Sequence, residues 1–581
     1  MLLPAADRVL APQRFSGSHS CFISALVLFV CCFSAVHSGA QSESPDQSRR
    51  ISGTVINSIT SAPIPRALVT SNDNRFAKLT DGEGHFEITV PSENVETTGV
   101  TVVSRHARFS RCWLAARKPG FLYDCSDQGS GARSSADNVT IALVPEGIIH
   151  GRVTVTNTDI LSGTTVELYV RDVVDGLPRW MHNSSARTNS LGEFRFAELP
   201  AGEYKLLTDE RADDDPIANA GGKMYGYPPV FYPAAANFDS AGTIHLSAGQ
   251  SIQTELSAVR QSYYRVNIPV VDSDINSGMN VTVRAQSGPG YSLGYNPMAR
   301  RIEGFLPNGN YLVQGTMFGP NLASGVVNLR VNGGAAEGSP MLLVPASSIT
   351  LNVKEEFTDT SLNESTLRNS GKSIGAVRGP RSYLNASVEG ADDLQEMRGG
   401  SLRPPTGPTD TSIVLENLLP GRYWLRLYPS RGYVASARMG NLDLLHQPFD
   451  VATGVGAPIE IEMRDDTAEL DGTIVGVDFP PVGPNFQYSE PAAWIYCVPL
   501  PDSSGRYQEL AASPDGKFAH SMMVPGAYRI LTFARQQMHL PYRDPEAMKA
   551  YETKGQVVRL SAGQKVTVQV PLIADTDASE R

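Results

Sequence analysis

Phe194-Arg-Phe196-Ala-Glu-Leu199-Pro200-Ala-Gly202-Glu-Tyr204 is a short alternating segment, a Pro-Gly corner and a tyrosine, and the chain repeats this phrase three more times. It returns as Ile302-Glu-Gly-Phe305-Leu306-Pro307-Asn-Gly309-Asn-Tyr311, as Ile413-Val-Leu415-Glu-Asn-Leu418-Leu419-Pro420-Gly421-Arg-Tyr423, and from Phe518 to Val524-Pro525-Gly526-Ala-Tyr528. The residue numbers of the four tyrosines differ by 107, 112 and 105, which is a domain period. Alternation predicts a strand with one buried face, and such a strand needs a second sheet to cover it. A tyrosine just after a corner can bury its ring and bond its hydroxyl to nearby backbone, so these four are read as structural.

Three further phrases fill out the repeat. Thr80-Asp81-Gly82-Glu-Gly84-His-Phe86, Thr188-Asn189-Ser-Leu-Gly192-Glu-Phe194 and Ser513-Pro-Asp515-Gly516-Lys-Phe518 read as hairpin turns, since Asp, Asn and Gly supply the positive-φ positions of tight connections. Leu246-Ser-Ala-Gly249-Gln250 and Leu560-Ser-Ala-Gly563-Gln564 each precede an alternating closing strand. Ile51-Ser-Gly53-Thr-Val55, Ile148-Ile-His-Gly151-Arg-Val153 and Leu470-Asp-Gly472-Thr-Ile474 open repeats, and Tyr264–Ile268 and Ile349–Val353 do so without the glycine. The expected fold class is therefore all-β, with tandem Ig-like or transthyretin-like β-sandwich domains at 48–145, 146–260, 261–345, 346–466 and 467–576. The fourth carries a long irregular stretch, 357–408, read as a surface loop. One helix is predicted, at Asp544-Pro545-Glu546 to Tyr551, with Asp as N-cap.

Ahead of these units, Arg8 and Arg14 precede the apolar run Cys21–Val36, and Ser38 and Ala40 fit a small-x-small cleavage site. Residues 1–40 are expected to be a signal peptide, with an uncleaved anchor as the alternative. No later run of about 18 apolar residues exists, so no transmembrane helix is expected in the mature chain. The expected location is secreted, periplasmic or at the cell surface. Across 581 residues, 49 Lys and Arg stand against 60 Asp and Glu, a net charge of −11, which excludes a global field for nucleic acid. The 52 Gly and 40 Pro exceed ordinary usage of roughly 12% and stay below the roughly 25% of low-complexity disorder.

Together Ile51–Val55, Ala62-Pro63-Ile64-Pro65-Arg-Ala67-Leu-Val69, Thr80–Phe86 and Lys118-Pro119-Gly120-Phe121 resemble the bacterial carboxypeptidase regulatory-like domain, a transthyretin-like sandwich. The segment Tyr227-Pro-Pro-Val-Phe-Tyr232-Pro233 leading to Leu246–Gln250 resembles long secreted bacterial chains of such domains in tandem. The resemblance implies a non-catalytic sandwich grouped with carbohydrate-binding-like folds, and a fold does not carry its function across.

No catalytic residue, cofactor or metal site is expected. None of the ten histidines has a glutamate three positions on, and neither a nucleophile elbow nor a phosphate loop is read in the chain. Asp272-Ser-Asp274-Ile-Asn276 lacks the glycine and bidentate glutamate of a calcium loop, and Asp213-Asp214-Asp215 is read as a solvated loop. The one basic patch with aromatics, Arg105 to Lys118, supplies Arg108, Arg111 and Trp113 as candidate contacts for acidic glycan or a partner protein, against the plain reading of a half-buried strand. Trp180, Trp424 and Trp494 are read as core. Cys112 and Cys125 are close enough for a disulfide in an oxidising compartment, a pairing the spacing leaves open, while Cys497 is read as a buried thiol. The functional expectation is a rod-like, non-enzymatic binding or spacer protein of the cell envelope. The alternatives are a carbohydrate-binding protein and an accessory, non-catalytic peptidase subunit. Expected partners are a glycan or an envelope protein.

Overall fold

A computed structural model describes residues 48–573 apart from 72–74, 92–101, 105–106, 111–113, 123–136, 156–159, 214–223, 272–276, 287, 319–321, 359–380, 382, 392–399, 408–409, 453–455, 480–490 and 502. The expected signal peptide therefore lies outside the described residues. The fold is all-β, a series of sandwiches. Five main hydrophobic clusters follow one another along the chain, and each lies between two sheets.

One pairing pattern recurs in all five. The opening strand sits antiparallel to the strand before the corner and parallel to a closing strand. Ser48–Asn57 lies between His85–Pro91 and Asp137–Leu143, Gly147–Val155 between Glu193–Leu199 and Ser251–Ala258, and Ala468–Val475 between Lys517–Met523 and Lys565–Pro571. In the third sandwich Gln261–Val271 pairs with Arg301–Pro307 and runs parallel to Ala336–Glu337 and Met341–Leu342. In the fourth Ser347–Glu356 pairs with Ile413–Leu418 and runs parallel to Ile459–Arg464. The third and fourth, whose sequence signals are the weakest, thus share the topology of the others.

The opening-strand glycines have a packing reason. Gly53, Gly151 and Gly472 stand directly opposite Phe86, Phe194 and Phe518 in the antiparallel register. A Cβ at these glycines would lie 2.7, 2.9 and 2.1 Å from the facing phenyl ring, so each ring folds over the bare backbone of its cross-strand partner. Residues 33, 43 and 46 positions apart in the sequence are therefore two halves of one contact. In the third sandwich the pair is inverted, with Gly304 opposite Val266.

The corner tyrosines behave alike. Each donates its hydroxyl to the carbonyl four residues back: Tyr204 to Pro200 at 2.7 Å, Tyr311 to Pro307 at 2.9 Å, Tyr423 to Leu419 at 2.9 Å and Tyr528 to Val524 at 2.6 Å. All four rings are buried, and each bond contributes about 1 kcal/mol net. The hairpin turns close as expected. Asp81 Oδ1 accepts from the Glu83 and His85 amides and Asn189 Oδ1 from those of Leu191 and Glu193. Gln250 and Gln564 turn back on the amides of Ser247 and Ser561 at 2.8 and 2.9 Å.

The helix forms as one α turn, Pro545–Met548, and a 3-10 turn, Lys549–Tyr551, with Asp544 accepting from two first-turn amides. No helix among the described residues is long and apolar enough to cross a membrane. One expectation is corrected. The stretch 357–408 contains the strand Leu384–Gly390, whose Leu384, Ala386 and Val388 enter the fourth core; small residues at alternate positions hid its period.

Candidate functional site

Among the described residues a densely built polar site lies at the tip of a hairpin of the second sandwich. Thr165–Val174 and Leu177–Arg187 are joined by Asp175-Gly176, both at positive φ, 50° and 75°, as a two-residue type I′ turn requires. The tip reaches residues far away in the chain. The Asp175 carboxylate pairs with the guanidinium groups of Arg426 and Arg543 and accepts a hydrogen bond from the Tyr542 hydroxyl at 2.5 Å. The Arg543 amide donates to the Gly176 carbonyl at 3.0 Å. A Cβ on Gly176 would meet the Tyr542 ring at 2.7 Å, so this glycine serves both the turn and the close approach.

Around this carboxylate the charges alternate. Arg426 also holds Glu389 through Nε at 3.0 Å and a terminal nitrogen at 2.9 Å, and Glu389 faces the buried Arg179 at 3.6 Å. Arg179 donates to the Gly390 carbonyl at 3.1 Å. The Arg543 guanidinium lies 4.0 Å from the centre of the Trp424 ring, and Tyr542 stacks on Tyr507 at 3.8 Å with planes 7° apart. His539 adds an ion pair to Asp172 at 2.7 Å, which raises the affinity of that imidazole for its proton. One hairpin is thus clasped by strands of the fourth sandwich and by the loop before the helix of the fifth. Between the fourth and fifth, His446 Nε2 lies 3.0 Å from the Ser503 carbonyl and Arg506 donates to that of Leu427 at 3.3 Å. These contacts join the second sandwich to the fourth and fifth, which do not follow it directly in the sequence.

A second polar cluster lies on the outer face of the same sheet. Glu167 Oε2 faces His182 Nε2 at 2.5 Å and accepts from the Ser185 hydroxyl at 2.7 Å. Asp209 joins it from the end of the strand Gly202–Thr208. Burial first, and then the charge of and hydrogen bond to Glu167, push the Asp209 carboxyl up to about 6, with His182 opposing. The next residue, Glu210, is likewise raised by burial, and it accepts from the Ser292 amide at 2.6 Å and hydroxyl at 2.9 Å across the contact with the third sandwich. These carboxyls and His182 are the groups that face Asp209.

The sign of the resulting pH dependence is fixed. An acid whose folded value lies above its unfolded value of 3.8 destabilises the fold when ionised, so its contribution improves as pH falls through about 6. A rise from 3.8 to about 6 corresponds to roughly 2 to 3 kcal/mol. Asp209→Asn is expected to stabilise the protein at pH 7.5, to do so by about half as much at pH 5, and to leave stability at pH 3.5 nearly unchanged, measured by urea unfolding at the two extremes. A variant whose stability difference from wild type is the same at both would disprove the assignment.

No protein-family model matches the chain. No curated protein is significantly similar to it either. Among solved structures the chain is similar to the TIE protein of Bacillus anthracis, at 10% identity and TM-score 0.13 over 72% of this chain and 68% of that one. It is also similar to a streptococcal ancillary pilin, at 12% and 0.16 over 51% and 99%, and to the major pilin subunit BcpA of Bacillus cereus, at 9% and 0.14 over 55% and 99%. At such identities and TM-scores these likenesses carry no functional argument.

Arg111, Cys112, Trp113 and Cys125 lie outside the described residues, as does Asp272–Asn276. Arg108 lies on the strand Ala107–Ser110. Cys497 is buried in the fifth core, where burial pushes its thiol up to about 12. Asp213 is no solvated bystander, since it pairs with Arg260 at 2.5 Å. The three tryptophans are half-buried at core margins: Trp180 beneath the Lys205 ammonium at 4.9 Å, Trp424 beneath Arg543, and Trp494 beside a satellite cluster. A further correction concerns Gly371-Lys372-Ser373-Ile374-Gly375, which spells the letters of a nucleophile elbow; it lies outside the described residues.

Proposed function

We propose that this chain is a non-enzymatic, multi-domain sandwich protein of the cell envelope that works as a scaffold or binding protein. The clasp at Asp175 carries the reading. Its residues come from three sandwiches, and the guanidinium groups of Arg426 and Arg543 are spent on carboxylates and an aromatic ring, an arrangement suited to holding modules in one fixed relation. In this reading residues 1–40 are a cleaved leader and the five cores are domains with boundaries at 48–145, 146–260, 261–345, 346–466 and 467–576. The first two belong with the carboxypeptidase regulatory-like sandwiches, on the motifs Ile51–Val55 and Thr80–Phe86 and their counterparts in the second.

The test is turnover. Purified protein incubated with peptide and glycan libraries is expected to leave them intact; hydrolysis above background, lost on replacing one carboxylate, histidine or Ser373, would overturn the reading. Carbohydrate recognition is the second reading, and the surface of the third sandwich favours it.

A further inference from the structure

We propose that the outward face of the five-stranded sheet in the third sandwich binds an acidic polysaccharide. Three adjacent strands form it, Met279–Ala285, Gly309–Met317 and Ala323–Val331. Their alternation sends Val283, Tyr311, Val313, Val327 and Leu329 into the core and Thr282, Arg284, Asn310, Leu312, Val326, Asn328 and Arg330 to solvent, with Gln314 half-buried and Thr316 and Ser324 buried at the far end. The register sets the outward residues in rows: Arg284 beside Leu312 beside Asn328, then Thr282 beside Gln314 beside Val326, with Asn310 beside Arg330 at one end.

This face differs from several other outward faces of the molecule, which pair their polar side chains across strands. Arg50 pairs with Glu87 at 3.3 Å, Arg152 with Glu193 at 2.9 Å, Asn352 with Glu460 at 2.7 Å and Lys565 with Asp471 at 2.9 Å. The third sandwich's face carries no carboxylate at these positions, in a chain of 60 acidic residues. No side-chain hydrogen bond or ion pair ties Thr282, Arg284, Asn310, Gln314, Asn328 or Arg330 to another described residue. It is an acid-free surface of free donors and acceptors on a molecule of net charge −11.

Such a surface suits one chemistry. A guanidinium takes a carboxylate or sulfate through two parallel hydrogen bonds, which assigns Arg284 and Arg330 to the anionic groups of the glycan. Amides and hydroxyls both donate and accept, as sugar hydroxyls do, which assigns Thr282, Asn310, Gln314 and Asn328 to the rings between. Strands about 4.8 Å apart with outward residues about 6.8 Å apart along each make a flat grid for an extended polymer. Leu312 and Val326, diagonal neighbours exposed by 36% and 51%, offer an apolar seat for a sugar's C–H face. An anionic chain is repelled by the acidic surface elsewhere, so the charge pattern also sets where it lands.

This inference rests on the carbohydrate-recognition reading. The experiment passes the full chain and an Arg284→Gln/Arg330→Gln variant over immobilised polygalacturonate, a neutral glucan and duplex DNA, at about 50 mM and about 500 mM salt. The expected result is retention of wild type on polygalacturonate at low salt alone, weakened at least about tenfold in the variant. Both changed residues are exposed, so an unaltered thermal unfolding curve shows that the variant is folded. Equal retention of the two proteins, or retention of neither, would overturn the proposal, as would equal retention on DNA. Concentration-dependent self-association removed by the same substitutions would assign the face to a second copy of the chain instead. Shortened polysaccharide in the eluate would sink the non-enzymatic reading and leave the binding face standing.

Discussion

Gly151→Val is expected to unfold the second sandwich's opening pair of strands, at a cost of about 3 kcal/mol or more. The ideal Cβ position at Gly151 lies 2.2 Å from the backbone carbonyl oxygen of Thr254 on the closing strand and 2.9 Å from the Phe194 ring. The ring can swing away. The carbonyl cannot, because it belongs to the parallel pairing of Ser251–Ala258 with Ile148–Val155. Overpacking a core costs about 1 to 3 kcal/mol when side chains alone must move, and more where backbone must shift. Gly472→Val is the internal comparison. There the near atoms all belong to the Phe518 ring, so the smaller loss is expected at Gly472. Urea unfolding of both variants checks the order; a Gly472 variant more damaged than the Gly151 one would refute the backbone argument.

The second large effect is expected at Asp175. Asp175→Ala leaves Arg426 with Glu389 alone, Arg543 with the Trp424 ring alone, and the Tyr542 hydroxyl without its acceptor. Removing one partner of a buried pair costs about 3 to 5 kcal/mol. Both arginines here are 18% exposed and Asp175 30%, so about 2 to 4 kcal/mol is expected. The loss should fall on the contact between sandwiches and spare their interiors. Thermal unfolding is therefore expected to split into separate transitions, with Trp424 fluorescence reporting the earlier one. A double-mutant cycle with Arg543→Ala should return coupling of about 1 kcal/mol or more. A single undivided transition, or no coupling, would show that the clasp does not join the modules.

These two positions also show what could be read from the sequence. Gly151 is visible there as part of a recurring phrase, and so is Phe194; that they form one contact is not, because cross-strand register emerges only when the hairpin closes. The four tyrosine corners were legible because their partner lies only four residues back. Asp175 was hidden for the opposite reason. Its partners are some 250 and 370 residues away, and an Asp-Gly pair looks like any hairpin turn until the distant arginines arrive. The half-buried tryptophans misled for the same reason, since an aromatic within a strand pattern reads as core whether its outer edge meets solvent, Arg543 or Lys205. The Asp209 cluster stands apart in that its carboxyl is raised by burial and by Glu167, about 40 residues back on a neighbouring strand, a pairing that only the closed sheet brings about.

The parallel pairing of first and last strands has a mechanical consequence. Two adjacent strands that run the same way put the chain's entry at one end of the pair and its exit at the other. Tension drawn through the second sandwich would pull Ile148–Val155 and Ser251–Ala258 lengthwise past each other, so that the whole ladder resists at once. A hairpin pulled at its open end peels one rung at a time. The same geometry holds for Glu469–Val475 against Lys565–Pro571 and for Leu351–Glu356 against Ile459–Arg464, so the weakest link under load is expected in the joints between sandwiches and not within them.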